Sequence, residues 1–539
     1  MPPYLSFLHD PWVESTLATL TPRQQMAQLL HIAGWSNRGQ EHEEDLLRLI
    51  EHYGIGGIIF FQGTPERQLE LTRRYQAASS VPLLISIDAE WGLGMRLDDS
   101  LSFPHQIALG AIQNDQLIYD MGRDLGQQCR RMGIHMNFAP CVDVNVEATN
   151  PVIGFRSFGS DPQLVARKAK AYMEGLQDAG ILAVAKHFPG HGDTAVDSHH
   201  DLPTLPHSMV RLEKIEFFPF RQLIRDGVSA IMPGHLRVPA IDNRPHIGGT
   251  LSAPLIQDVL KKHLGFEGLV VTDALDMKGV TKHHPPGDIE LKAFQAGNHI
   301  LLFPSDVRVA LIRLERALEN GEIDLGDLRN RCRHILAVKR WTDAYVEAVP
   351  GSAALHEDLH RPESISLISE LHAASISWGH LTGVFSSIST VIGFQNVQEG
   401  GDELRHHQLS KGAGAALYFL DKLKAKNWTS SLVYSSDTEG IPEVIDQPWV
   451  LSIHGLAVKA KDRFGMSEAA IAKLNALIAR KPQVIVLFAS PYALEHLSGW
   501  EEIPVLHAFQ GVDAAQDAAA EIALGRKKVI GKLSVEVRH

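Results

Sequence analysis

Residues 186–203 read Lys186-His187-Phe188-Pro189-Gly190-His191-Gly192-Asp193-Thr194-Ala195-Val196-Asp197-Ser198-His199-His200-Asp201-Leu202-Pro203. Eight of these 18 residues are His, Asp or Lys. Titratable groups gathered this densely right after an apolar run point to proton transfer or ligand binding rather than packing. His187, His191, Asp193, Asp197, His199 and His200 are also competent zinc or manganese ligands. Their spacing is not that of a helical HExxH site, and the Gly and Pro turns argue against one helical face. Further candidates stand where other apolar runs end: Asp88, followed by Ala-Glu-Trp-Gly-Leu-Gly-Met-Arg to Arg96; the stretch 150–159 with Arg156; and Asp273, followed by Ala-Leu-Asp-Met. One such carboxylate is an ordinary helix cap. Several converging on one mouth are not.

The elements that must position these groups alternate. Short apolar runs at 29–32, 57–61, 83–87, 136–138, 183–187, 230–232, 270–272 and 300–302 predict strands buried on both faces. Helical patterns fall between them at 43–52, 66–79, 115–131, 161–179, 212–226, 253–263, 289–296 and 306–320. Eight strand–helix pairs predict a (β/α)8 TIM-type barrel over 1–345, with a doubly wound sheet as the competing topology. In a barrel the loops after the strands form the active-site mouth, where the His/Asp segment falls. Residues 346–375, with Pro350, Gly351 and Pro362, read as a linker. Over 376–539, strand-like runs at 390–392, 415–419, 431–434, 449–453, 484–488 and 505–508 return between helical stretches at 467–480 and 514–524. This second α/β domain is expected to be an αβα sandwich in a supporting role. It carries no GxGxxG and no GxxxxGK[ST] phosphate loop.

Composition narrows the function classes. The 539-residue chain is 44% hydrophobic and 21% charged, ordinary for a globular protein. A net charge of −12 makes it a poor general binder of nucleic acid or anionic membrane. Cys129, Cys141 and Cys332 are too few and too scattered for a disulfide framework or a cysteine zinc site. No apolar run approaches the ~20 residues of a membrane span. The first residues lack the basic and apolar regions of a signal peptide. A cytoplasmic location is therefore expected of the chain as given, or a periplasmic or extracellular one if a signal peptide has been removed.

The segment KHFPGHGDTAVDSHHDLP resembles the signature of family 3 glycoside hydrolases of the β-N-acetylglucosaminidase branch. GGIIFF from residue 56, IDAEWG at 87–92, NPVIGFRSFG at 150–159 and VVTDALDMKGV at 270–280 fit in order and spacing. The likeness is strong over about 15–345. Beyond that it is weaker, in VIVLFASPYAL at 484–494, VLHAFQ at 505–510 and GKLSV at 531–535, and is similar to the sandwich of two-domain members.

The resemblance implies a retaining exo-hydrolase acting on terminal β-linked N-acetylglucosamine, in cell-wall muropeptides or chitin oligomers, with no cofactor and no metal. Retention needs a nucleophile beneath the anomeric carbon and a proton donor at the leaving oxygen. Asp273 is the nucleophile candidate, because an ionised carboxylate can form a glycosyl ester. His199 is the donor candidate, in place of the usual second carboxylic acid. Imidazole titrates near ~6.5, so it can donate in one step and accept in the next. Asp197 matches the family's orienting aspartate and can hold the other ring nitrogen. His200 is a neighbouring competitor. By resemblance Asp88 holds sugar hydroxyls, with Arg96, Arg156, Lys186 and His187 around them and the N-acetyl side. For Arg96 and Arg156, the alternative is a structural ion pair with Asp88 or Glu90. Trp91 departs from relatives that carry glycine there, and could stack on a sugar or pack beneath the loop. Alternatives within the fold are a β-glucosidase and a phosphorylase. Outside it stand a metallohydrolase and a non-catalytic binding protein. The sequence does not specify the oligomeric state.

Overall fold

The computed structural model describes residues 1–194, 202–344, 349–385, 388, 390–397, 414–424, 428–435, 441 and 448–538. Asp197, His199 and His200 lie outside the described residues.

Eight parallel strands form the first sheet: β1 Leu30–Gly34, β2 Gly57–Phe60, β3 Leu84–Ile87, β4 Met136–Asn137, β5 Leu182–Phe188, β6 Ala230–Pro233, β7 Leu269–Val270 and β8 Leu301–Leu302. Their order is β7-β6-β5-β4-β3-β2-β1-β8. A parallel bridge between Val271 and Ile300 joins the two ends, so the sheet closes into the expected (β/α)8 barrel. Closure removes both edges, and β2, β3, β5 and β6 are buried at every position. That is why each strand reads as a continuous apolar run rather than an alternation. Among the described residues, no helix is long and apolar enough to cross a membrane.

The pairing of β5 with β6 slips between Lys186 and Phe188. One extra residue, His187, is therefore inserted where a strand would otherwise send successive side chains to opposite faces. This irregularity sits at the first two residues of the His/Asp segment.

The segment 212–226, expected as one helix, is two: Met209–Lys214 and Phe217–Arg225. A helix running through would need an N–H at Pro219 to reach the Ile215 carbonyl, and proline has none.

Contacts divide the chain into two compact units. One is 1–101, 119–144 and 169–361; the other is 102–118, 145–168 and 362–539. The second unit holds a seven-stranded sheet: β9 Ser377–Trp378, β10 Thr390–Gln395, β11 Thr429–Tyr434, β12 Trp449–His454, β13 Val484–Leu487, β14 Val505–His507 and β15 Gly531–Lys532, ordered β11-β10-β12-β13-β14-β9-β15. All pairs are parallel except β9 with β14. Residues 415–419, expected as a strand, belong instead to the helix Gly414–Lys424. Ala416, Phe419, Leu420 and Leu423 are its buried side chains, at helical spacing. A short apolar run fits either period until the residues after it are read together.

Candidate active site

The rim formed by the strand ends gathers most of the predicted groups. Asp88 is the first residue after β3. Arg96, after the short turn Leu93–Met95, donates from Nη2 to Asp88 Oδ2 at 2.8 Å. Lys186 in β5 donates from Nζ to Asp88 Oδ1 at 2.8 Å and pairs with Glu90 Oε1 at 2.8 Å. The Lys186 side chain is 4% exposed and that of Glu90 0%. Burial pushes the Asp88 carboxyl up, but the Lys186 and Arg96 charges outweigh it and hold the group ionised, below its ordinary value. An ionised carboxylate is an acceptor only, suited to pairs of sugar hydroxyls. The ion pair Arg96–Asp88 expected from sequence is present, and it fixes the carboxylate in place on the rim. Arg96 also lies over the Phe61 ring, 4.7 Å from its centroid.

His187 turns to a different carboxylate. Its Nδ1 lies 2.8 Å from Asp143 Oδ2. Asp143, six residues past β4, is fully buried. It also accepts from the His187 N–H at 3.2 Å, the His191 N–H at 2.6 Å and Cys141 Sγ at 3.0 Å. Burial alone would raise this carboxyl; the facing His187 and the donors overcome that and hold it well below the usual carboxylate range. With Asp143 ionised, Nδ1 must donate, which puts the lone pair of a neutral His187 on Nε2. His191 continues the chain of contacts, its Nδ1 2.7 Å from Thr194 Oγ1.

Asp143→Asn is expected to lower stability by about 1.5–3 kcal/mol per lost charged hydrogen bond. The sign with pH follows from the depressed carboxyl. Its contribution is present above the unfolded value near ~3.9 and is lost as pH falls through the folded value. The stability gap between wild type and variant should therefore shrink in melts taken below about pH 4, and a gap that widens there would contradict this account.

Asp273 is half-buried on the segment leaving β7. Its Oδ1 accepts from the Ala274 N–H at 2.8 Å. The backbone on either side is fixed: Thr272 Oγ1 accepts from the Leu302 N–H at 2.8 Å. His235, buried just past β6, donates from Nε2 to the Ala274 carbonyl at 2.8 Å. Trp91 is 5% exposed, so it packs within the fold. Arg156 ends the short turn Gly154–Arg156 in the second compact unit, with Nη1 3.3 Å from the Val152 carbonyl. Asp88, Arg96, Lys186, His187 and Asp273 all belong to the first.

Sequence reasoning missed Asp143 and His235, saw Glu90 only as an ion-pair partner for arginine, and saw His191 only as a member of the His/Asp cluster. All four are buried. For Asp143, His235 and Glu90 the one available signal was position, since each follows a barrel strand.

Residues 21–338 match the glycosyl hydrolase family 3 N-terminal domain, and the chain belongs to that family. It is 32% identical over 365 residues to "Beta-hexosaminidase A" of Pseudoalteromonas piscicida, a match covering 62% of this chain and 60% of that protein. It is 34% identical over 320 residues to "Beta-hexosaminidase LpqI" of Mycobacterium tuberculosis, covering 57% of this chain and 80% of that one. Among solved structures it is similar to a family 3 β-N-acetylglucosaminidase from Paenibacillus sp. str. FPU-7, at 30% identity and a TM-score of 0.81, over 96% of this chain and 99% of that one.

Proposed function

We propose that this protein is a retaining exo-β-N-acetylglucosaminidase. The single observation that carries the reading is the Asp88 carboxylate, held ionised by Arg96 and Lys186 on the rim of the same barrel that presents Asp273. The names of the similar proteins support the amino-sugar substrate.

In the first step Asp273 attacks C1 and the bond to the leaving oxygen breaks. His199, oriented by Asp197, gives its proton to that oxygen. In the second step His199 takes a proton from water, whose oxygen attacks C1 and releases Asp273. Asp88, Lys186, Arg96 and His187 orient the sugar through its hydroxyls, and Arg156 is assigned to the same role. Terminal N-acetylglucosamine on cell-wall muropeptides or chitin oligomers is the expected substrate.

The test compares an aryl β-N-acetylglucosaminide with the matching β-glucoside, each with and without phosphate and with a chelator. A site built to bind the acetamido group should favour the former by about 100-fold or more. The expected product from the N-acetylglucosaminide is free N-acetylglucosamine, with or without phosphate and with the chelator present. Preference for the glucoside, a glycosyl phosphate product, or loss of turnover on chelation would overturn the reading.

A further inference from the structure

We propose that Asp193, His207 and Arg211 form a clasp across the base of the loop after β5, and act as positioning residues for the Asp197–His199 pair. The inference rests on the glycosidase reading above.

The upstream limb of this loop is fixed in the barrel. The His191 N–H is held by Asp143, and Thr194 Oγ1 donates back to the His191 carbonyl at 3.1 Å. Gly190 has φ +142°, and a Cβ there would sit 3.0 Å from Glu216 Cβ, so this limb leans directly on Glu216. The downstream limb is fixed separately. The Leu205 N–H donates to the Arg237 carbonyl, and the Arg237 N–H to that of Pro203, both at 2.8 Å.

Side chains then tie the limbs together. His207 Nε2, from the downstream limb, lies 2.8 Å from Asp193 Oδ2 on the upstream limb. The approach is close but off the ideal hydrogen-bond axis. Arg211 Nη2 reaches the same oxygen at 3.1 Å. Its Nη1 lies 2.7 and 2.9 Å from the two oxygens of Glu216, whose side chain is 3% exposed. Ser208 caps the helix Met209–Lys214 and so sets the height of Arg211. Asp193, His207 and Glu216 are close enough to hold a metal ion, but Arg211 already supplies a positive charge to both carboxylates.

In sequence, the seven residues 195–201, which include Asp197 and His199, join the two limbs. A span this short has its reach set by its end points. Releasing one limb spreads the positions open to the imidazole. Misplacing a reacting group by about 1 Å can cost roughly 100-fold. The effect should fall on proton donation, not on sugar binding.

The test uses Asp193→Ala, His207→Leu and His207→Gln in the full chain. The quantity read is kcat/KM for a dinitrophenyl and for an alkyl β-N-acetylglucosaminide. It reports the first bond cleavage, for which only the alkyl oxygen needs a proton. In Asp193→Ala and His207→Leu the ratio of dinitrophenyl to alkyl kcat/KM should rise about 10- to 100-fold. His207→Gln, which keeps a donor facing Asp193, should recover most of the wild-type ratio. The double variant D193A/H207L should be no worse than Asp193→Ala alone, because that substitution already removes the contact His207→Leu breaks. If Asp193→Ala does not fold, the two His207 variants decide the matter. An unchanged ratio, equal loss on both substrates, or additive losses would overturn the clasp. Wild type hydrolysing neither glycoside would defeat the glycosidase reading instead.

Discussion

Asp273→Ala should lower kcat/KM for an aryl β-N-acetylglucosaminide by about 10⁴-fold or more, the scale on which enzymes lose rate when their nucleophile is removed. The fold should survive. The side chain is half-buried, and its Oδ1 accepts from the adjacent Ala274 N–H. Such a bond contributes about 1 kcal/mol. The neighbouring backbone stays pinned by Thr272 and His235. Added azide separates a missing nucleophile from a damaged site. The small anion can enter where the carboxylate stood and attack C1 from the same side, giving the α-glycosyl azide. Melting at the wild-type temperature with azide-dependent α product is the expected result. Near-normal turnover without azide would show that Asp273 is not the nucleophile.

Lys186→Met should be the most damaging substitution for stability. Lys186 joins two carboxylates, Asp88 and Glu90, and the Glu90 side chain has no exposed surface. Removing the cation leaves the carboxylates facing each other without it. Breaking a buried ion pair from one side costs about 3–5 kcal/mol. That is a large part of the ~5–15 kcal/mol by which a typical protein is stable. The pH dependence gives the signature. Without Lys186, mutual repulsion should raise the folded-state value of one carboxyl above its unfolded value near ~4.3. A carboxyl raised in this way stabilises the fold only below that unfolded value and loses the contribution as pH rises through the folded one. The deficit against wild type should therefore be larger at pH 7 than at pH 5 in urea or thermal melts. An equal deficit, or a larger one at pH 5, would contradict this picture. Loss of the charged contact should also reduce kcat/KM by roughly 10- to 150-fold, from about 1.5–3 kcal/mol for a hydrogen bond to a charged group.

The barrel was legible because closure buries its strands on both faces. All eight apolar runs expected as strands appear, each within about two residues of its expected bounds. The helix 414–424 was misread because its first apolar residues are contiguous and its period emerges only at Leu420 and Leu423. The strands 377–378 and 531–532 are two residues long and carry no period at all. Within the site, Asp88, Lys186 and His187 could be picked out because polar residues end apolar runs there. Asp143 could not. It lies in a loop, and nothing in Cys-Val-Asp-Val says that its carboxylate is buried and answers two histidines. Nor does periodicity show that residues 102–118 and 145–168, which follow β3 and β4 in sequence, belong to one compact unit with 362–539.

The central claim is that Asp273 carries the sugar between the two steps. The most direct measurement uses a fluorinated N-acetylglucosaminide with a dinitrophenolate leaving group. The fluorine destabilises the oxocarbenium-like transition state of both steps, while the good leaving group rescues only the first. The adduct that accumulates is then mapped by peptide mass spectrometry. We expect one glycosyl group per chain, on Asp273 and not on the exposed Asp276 three residues later, with no adduct in Asp273→Ala. A glycosyl group on any other residue, or steady turnover of the same substrate in Asp273→Ala, would contradict the mechanism.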